Sequence, residues 1–224
     1  MDPIEYNSVQ YSDDRQINPG VRLSKVLKMI GTHKSVLDVG CFDGRISEAI
    51  ADAGNVVLGV DASRPAVNRA LKRGINAVVA DIGQGLPFEN GKFDVVFAGE
   101  IIEHVFDVDY FLQEISRVLK PDGVAVITTP NLAALGRRLM LLVNMNPHIE
   151  ISLKEPGAAG HIRYFIKGTM KRLLERNGFV PCEWKSDVVN FNATGSISST
   201  LLASIFPTIG STIIVKAKKG ETSK

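Results

Sequence analysis

Cysteine is scarce in this 224-residue chain, and neither Cys41 nor Cys182 has metal-site or redox spacing. A disulfide framework and a cysteine-based zinc site are both excluded, and a reducing, cytoplasmic compartment fits best. Charge of one sign is also lacking. The 26 Lys and Arg residues nearly balance the 24 Asp and Glu, leaving a formal net charge of +2. So weak a field gives nucleic acid no electrostatic reason to bind. No apolar run approaches the roughly 20 residues that span a bilayer. The opening MDPIEYNSVQYSDD is polar and acidic, unlike a secretory leader. Repeats and low-complexity blocks are missing as well. What remains is 45% apolar and 22% charged, ordinary for a soluble protein and enough for one well-packed domain.

Within that domain the pattern alternates. Residues 1–20 end in the turn Asn18-Pro19-Gly20 and read as an arm or lid, with a helix over Val21–Ile30. Strands are expected at Ser35–Val39, Val56–Val60, Ala77–Ala80, Phe93–Ala98 and Val124–Thr128. Helices are expected between them at Arg45–Ala53, Pro65–Lys72 and Val108–Leu119. Continuous Val/Ile/Leu runs bounded by turns suggest strands buried on both faces. Alternation of such strands with helices predicts a doubly wound, Rossmann-like α/β domain over 21–224. The rhythm breaks at about 132–166, which reads as a cap inserted over the strand ends, with a helix over Leu132–Val143. It resumes with a helix at Gly168–Asn177, a strand at Phe179–Phe191, a short surface helix at Leu201–Phe206 and a last strand at Ser211–Lys218.

Chemistry gathers at the strand tips. In VLDVGCFDGRIS a strand runs into Gly40, and a tight turn through Gly44 opens a helix, so backbone can approach a ligand closely. Asp61 ends the next strand, 17 residues after Gly44, where a carboxylate can accept both hydroxyls of a ribose. Asp81 ends the third strand in VVADI, within reach of an adenine amino group. Each carboxylate alone could be a helix cap; three at successive tips line one crevice.

These segments, with FDVVFAGEIIEHV and LQEISRVLKPDGVAVITTPN, resemble class I S-adenosylmethionine-dependent methyltransferases, and ubiquinone-pathway and other small-molecule O-methyltransferases within them. The resemblance implies a three-layer sandwich around a seven-stranded, mostly parallel sheet whose last strand runs antiparallel. It also implies that Asp38, Gly40 and Gly44 hold the methionine end of the cofactor. Asp61 with Ala62 would hold the ribose, Asp81 with Ile82 would bracket the adenine, and Glu100 would contact the cofactor. One departure is Phe42, where many members have glycine. A nicotinamide dehydrogenase shares the turn, but needs no carboxylate at Asp38 and has a second mononucleotide-binding half that is missing here.

Glu100, Glu103 and His104 follow the fourth strand and should face the transferable methyl. A helical turn over Ile101–His104 would bring all three to one side. Three readings stand open. The group is structural; or His104 is a general base for a hydroxyl nucleophile, near-neutral pH suiting an imidazole; or the group holds Mg²⁺ or another divalent cation that lowers the hydroxyl's pKa. The run E-x-x-E-H resembles that of metal-using ubiquinone-pathway enzymes and of small-RNA 3′-terminal 2′-O-methyltransferases. In the RNA enzymes a histidine some sixty residues on completes the site. His161 lies 57 residues beyond His104. Glu100, Glu103, His104 and His161 are therefore the candidate metal ligands, and Glu100, His104 and His161 the candidate catalytic residues. Arg163 and Tyr164 could bind an anionic or aromatic part of the acceptor. Arg137-Arg138 with Met140-Leu141-Leu142-Val143 forms an amphipathic segment, either packed on the domain or admitting an apolar, lipid-linked acceptor near a membrane surface. The expected activity is O-methylation of a small molecule. RNA methylation and a non-catalytic cofactor-binding role are the alternatives. His33 and His148 have no supporting pattern and read as surface residues.

Overall fold

The computed structural model describes residues 20–152, 159–192 and 196–220; the arm expected over 1–20 lies outside them apart from Gly20. Seven strands form the main sheet: β1 (Ser35–Val39), β2 (Val56–Asp61), β3 (Asn76–Val79), β4 (Phe93–Gly99), β5 (Leu119–Pro130), β6 (Phe179–Lys185) and β9 (Thr212–Lys219). A small hairpin, β7 (Val189–Asn190) and β8 (Ser198–Ser199), stands apart. The order in the main sheet is β3-β2-β1-β4-β5-β9-β6. All neighbours are parallel except around β9, which runs antiparallel to both β5 and β6. The expected seven-stranded, mostly parallel sheet with an antiparallel last strand is what forms.

Consecutive residues of the central strands bury opposite faces, and this builds the three layers. On one side Val36, Val95, Phe97 and Val126 meet Val26, Met29 and Ile30 of α1 (Gly20–Ile30) and Ile50 of α2 (Arg45–Asp52). On the other, Leu37, Val39, Val96, Ala98 and Ile127 meet other helices. These are α4 (Val108–Val118), through Phe111, Leu112 and Ile115, and α6 (Lys167–Arg176), through Met170 and Leu174. Each such fully buried side chain contributes about 1.5–3 kcal/mol.

Local chemistry sets the ends. Ser63 caps α3 (Arg64–Lys72) by accepting from the Ala66 amide, with a proline in the first turn. Asp107 caps α4 through the Tyr110 amide. The expected strand Phe179–Phe191 is broken: Asp187 accepts hydrogen bonds from Val188 N, Thr212 N and the Thr212 hydroxyl, and Ser186 donates to Thr212 O. These side-chain bonds replace a ladder there. β5 is longer than its apolar centre because Leu119 already pairs with Phe93, and a bulge absorbs the Pro-Asp-Gly that follows. The cap begins with α5 (Leu135–Leu142), shorter than expected because Asn131 holds a turn before it, accepting from the Ala133 amide. The surface helix forms as α7 (Thr200–Ile205).

The turn from β1 into α2 depends on glycine. Gly44 has φ +80°, and a Cβ there would lie 2.9 Å from Ala70 Cβ and 3.0 Å from its Cα. Gly44→Ala should therefore lower the unfolding free energy by about 1–3 kcal/mol, from a left-handed backbone combined with overpacking against α3. A urea midpoint that does not move would show that α3 yields freely.

Candidate active site

The chain runs outward through β1, β2 and β3, then returns across β1 to start β4. A crevice therefore opens at the carboxyl ends of β1 and β4. Asp38 lies beneath its floor, buried, its carboxylate accepting from the Ser47 hydroxyl at 2.5 Å. Burial lifts its pKa to about 7, against the Ser47 bond and with help from Asp61. Gly40 passes so close to Ile101 that a Cβ would sit 3.0 Å from Ile101 Cδ1, at φ +77°. Asp61 is half-buried and accepts from the amides of Phe42 (2.9 Å) and Ser63 (2.8 Å), with Ala62 between. Burial raises its pKa, with those two amides opposing. Phe42 adopts φ +48°, uncommon for a bulky residue, and the Arg69 guanidinium sits 5.2 Å from its ring centroid. The position thus keeps a glycine-like backbone and presents its amide to Asp61. Asp81 accepts from Gly83 N at 2.9 Å, and Ile82 opens a single 3₁₀ turn.

A second group lies past β4. Glu100 is left-handed (φ +54°), so the helical turn expected over Ile101–His104 starts one residue late, as a 3₁₀ turn over Ile102–His104. That separates Glu100 from its sequence neighbours. Its carboxylate accepts from the Thr128 hydroxyl (2.8 Å) and pairs with Arg22 (3.1 Å). Glu103, His104 and His161 come together instead, with one donor atom from each within 4.8 Å of the others. Arg22 is the residue that reading the sequence missed; its only signal was a place in the first turn of the helix before β1.

The hydrogen bonds around the triplet specify its protonation. His104 Nδ1 lies 3.0 Å from Gly160 O; a carbonyl only accepts, so Nδ1 carries the proton and Nε2 the lone pair. His161 Nδ1 faces Glu150 Oε1 at 3.0 Å, and its Nε2 faces Glu103 Oε1 at 3.9 Å. Glu150 is fixed by the amides of Gly160 and His161. Burial holds the His104 pKa below the ordinary imidazole value, with the Gly160 bond opposing. Glu103 is 1% exposed; its Oε2 accepts from the Thr129 hydroxyl, while its Oε1 is buried with no hydrogen-bond partner among the described residues. Burial first, and then the charge of Glu100, push its pKa up to about 8. Tyr164 packs edge-on to His161, with centroids 6.2 Å apart. Arg163 is not turned to an acceptor: its guanidinium donates to the carbonyls of Val105 and Phe106. His33 and His148 are exposed, as expected.

Comparison with known proteins finds similarity to methyltransferases. Residues 37–127 match the family model of the methyltransferase domain. Over those residues the chain is similar to a methyltransferase domain. It is 35% identical to the ubiquinone biosynthesis O-methyltransferase of Chelativorans sp. (strain BNC1), over 45% of this chain and 43% of that protein. Against the mitochondrial ubiquinone biosynthesis O-methyltransferase of Homo sapiens it is 29% identical, over 68% of this chain and 45% of that one. The chain thus spans less than half the length of these curated relatives. Its fold resembles an S-adenosylmethionine-dependent methyltransferase from Thermotoga maritima (TM-score 0.67, 17% identity, 96% of this chain and 94% of that one). It also resembles the 1,6-didemethyltoxoflavin-N1-methyltransferase of Burkholderia thailandensis with bound S-adenosylhomocysteine (TM-score 0.63, 16% identity, 97% and 87%). Among the described residues no helix is long and apolar enough to cross a membrane.

The raised pKa of Glu103 has a stability consequence. A carboxyl at about 8 in the folded chain and 4.5 unfolded supports folding fully below pH 4.5 and loses that support as pH climbs through 8. In chelator, Glu103→Gln should therefore melt above the parent at pH 9, with the gap closing toward pH 5. A gap independent of pH would show that Glu103 titrates normally.

Proposed function

We propose that this protein methylates an oxygen of a small-molecule hydroxyl, with S-adenosylmethionine as the donor and a divalent cation at Glu103, His104 and His161. The carrying observation is the buried Glu103 Oε1, without a hydrogen-bond partner among the described residues and 3.9 Å from His161 Nε2, in a cluster with His104 where each imidazole has its Nδ1 already committed to an acceptor. That is how ligating histidines are oriented: an outer acceptor fixes the tautomer and turns the Nε2 lone pair inward. One carboxylate and two imidazoles suit zinc, manganese or iron, and magnesium if water completes the shell. The cation would supply positive charge that makes an adjacent hydroxyl easier to deprotonate.

The donor crevice fits as well. Asp61 and Asp81 are held past the ends of β2 and β3 by backbone amides, and their carboxylates keep lone pairs that can accept from ribose hydroxyls and an adenine amino group. Asp38, Gly40 and Gly44 form the floor nearest the methionine end. The donor brings an electrophilic methyl on a sulfonium, so the protein's tasks are to align the nucleophile and take its proton. His104, its pKa lowered by burial, is neutral at physiological pH and can receive that proton or hold the cation. Glu100, bound to Arg22 and Thr128, directly follows β4 at the crevice. The exposed apolar side chains of the cap (Leu141, Leu142, Val143) and of the α7 segment (Leu201, Phe206) support an acceptor with an apolar body, and a lipid-linked one fits that surface better than nucleic acid does.

The test is a methyl-release assay over a panel of hydroxylated small molecules. His104→Ala should leave donor affinity within about twofold and cut turnover about 10²-fold or more, the scale of lost acid–base or metal assistance. A chelator should abolish transfer, and added magnesium or manganese should restore it. Activity that survives exhaustive chelation would reduce the triplet to His104 as a simple base, and unchanged turnover in His104→Ala would remove that role too.

A further inference from the structure

Arg137 lies on the inward side of α5. Its neighbour Arg138 is exposed and donates from Nε to the Ala133 carbonyl. Arg137 Nη1, by contrast, is buried and has no hydrogen-bond partner among the described residues. Tyr164 and Glu100 are near enough to act on its charge, and burial works against that charge, lowering its pKa. The two neighbours place the guanidinium. Tyr164 packs on His161, whose ring lies 4.9 Å from that of His104, and Glu100 borders the donor crevice. Arg137 therefore stands in the wall of the pocket that holds the Glu103–His104–His161 group, on the side of the cap. Neither neighbour neutralises it: the Glu100 carboxylate is bound by Arg22 at 3.1 Å, and the Tyr164 hydroxyl is bound to the Glu150 amide.

A buried guanidinium donor without an acceptor is unfavourable unless something anionic comes to it, and the planar fork suits a carboxylate or phosphate. We propose that Arg137 binds an anionic group, carboxylate or phosphate, carried by the acceptor molecule, so that the acceptor is an acid whose hydroxyl is presented to the neighbouring histidines. The proposal rests on the acceptor pocket assigned above. It adds what composition could not give: the acceptor has a charged end held under α5, and an apolar body can lie along Met140 and the leucines of the same helix. A carboxylate could also come from the methionine end of the donor, and the test separates the two.

The full chain is saturated with S-adenosylhomocysteine, which fills the donor's own carboxylate position. It is then titrated calorimetrically with benzoate and with inorganic phosphate, in excess chloride. At least one of these anions should bind the parent, and Arg137→Gln should weaken that binding on the order of 10-fold or more, with Arg137→Lys between. Affinity for S-adenosylhomocysteine should stay within about twofold in Arg137→Gln, and the variant should melt at or above the parent temperature because a buried unpaired charge is gone. In the methyl-release assay, a dihydroxybenzoate should outperform the matching dihydroxybenzyl alcohol in KM, and Arg137→Gln should erase that difference. Loss of S-adenosylhomocysteine binding in Arg137→Gln would assign the residue to the donor and overturn the proposal. Anion binding that ignores the substitution, or a lowered melting temperature with no change in binding, would overturn it too. If Arg137-dependent anion binding is found but no compound is methylated, the anion site stands and the O-methyltransferase reading falls.

Discussion

The site depends on the placement of Glu103, a carboxyl buried where three parts of the chain meet. Its backbone carbonyl accepts from the amides of Ile162 and Arg163, anchoring the far end of the cap to the turn after β4. Its side chain accepts from Thr129 at the end of β5. Its second oxygen lies 3.9 Å from His161 Nε2 and has no hydrogen-bond partner among the described residues. A buried carboxylate left in that condition costs several kcal/mol, and protonation is the cheapest relief open to the unliganded chain. Hence the raised pKa, and hence the link between the protonation of one residue, the position of the cap and the capacity to take a cation. Ionising Glu103 creates a demand for positive charge at the point where His104 and His161 offer lone pairs.

The sheet and its crevice were legible in the sequence because their causes are local. Strands buried on both faces must be written as continuous apolar runs, and the turns between them need glycine or capping residues at fixed places. Ser63, Asp107 and Gly44 are of this kind. Even Phe42 followed the local rule in backbone if not in residue type: its φ is the one a glycine would take. The failures share a different cause. Phe179–Phe191 reads as one strand, but Asp187 bonds to Thr212, far along the chain, and no window of sequence shows that partner. Glu100, Glu103 and His104 read as one face of a helical turn, but a left-handed Glu100 sends its carboxylate to Arg22, 78 residues earlier. Spacing gave the residue types; the hydrogen bonds that divide them are long-range.

His161 shows the intermediate case. Its distance along the chain from His104 was suggestive only through resemblance, and nothing in GHIRYF indicates orientation. In the fold, Glu150 fixes the ring, and Glu150 is itself held by the amides of Gly160 and His161. A loop of irregular backbone thereby becomes as well determined as a strand end, through a carboxylate that satisfies its donors. Arg163 adds to this by binding the carbonyls of Val105 and Phe106. That residue looked like a ligand-binding cation in sequence and is a strap in the structure, while Arg137, grouped with Arg138 as a generic basic pair, keeps a buried Nη1 without a hydrogen-bond partner among the described residues.

The two sides of the crevice carry opposite electrostatics, and this bears on the direction of the proposed reaction. Asp38 and Asp61, both raised by burial, lie at the proposed donor site; Arg137, with its buried Nη1, lies at the proposed acceptor site. A carboxyl with a pKa of about 7 ionises readily when a cation arrives beside it, so a positively charged donor strengthens its own site, whereas the neutral thioether left after transfer does not. The acceptor side has the complementary bias. In the proposed reaction Arg137, with a metal ion, would favour the oxygen anion that attacks over the neutral ether that results. Each side would then bind its reactant better than its product, a polarity that would favour release after transfer and that the balanced net charge of the whole chain conceals.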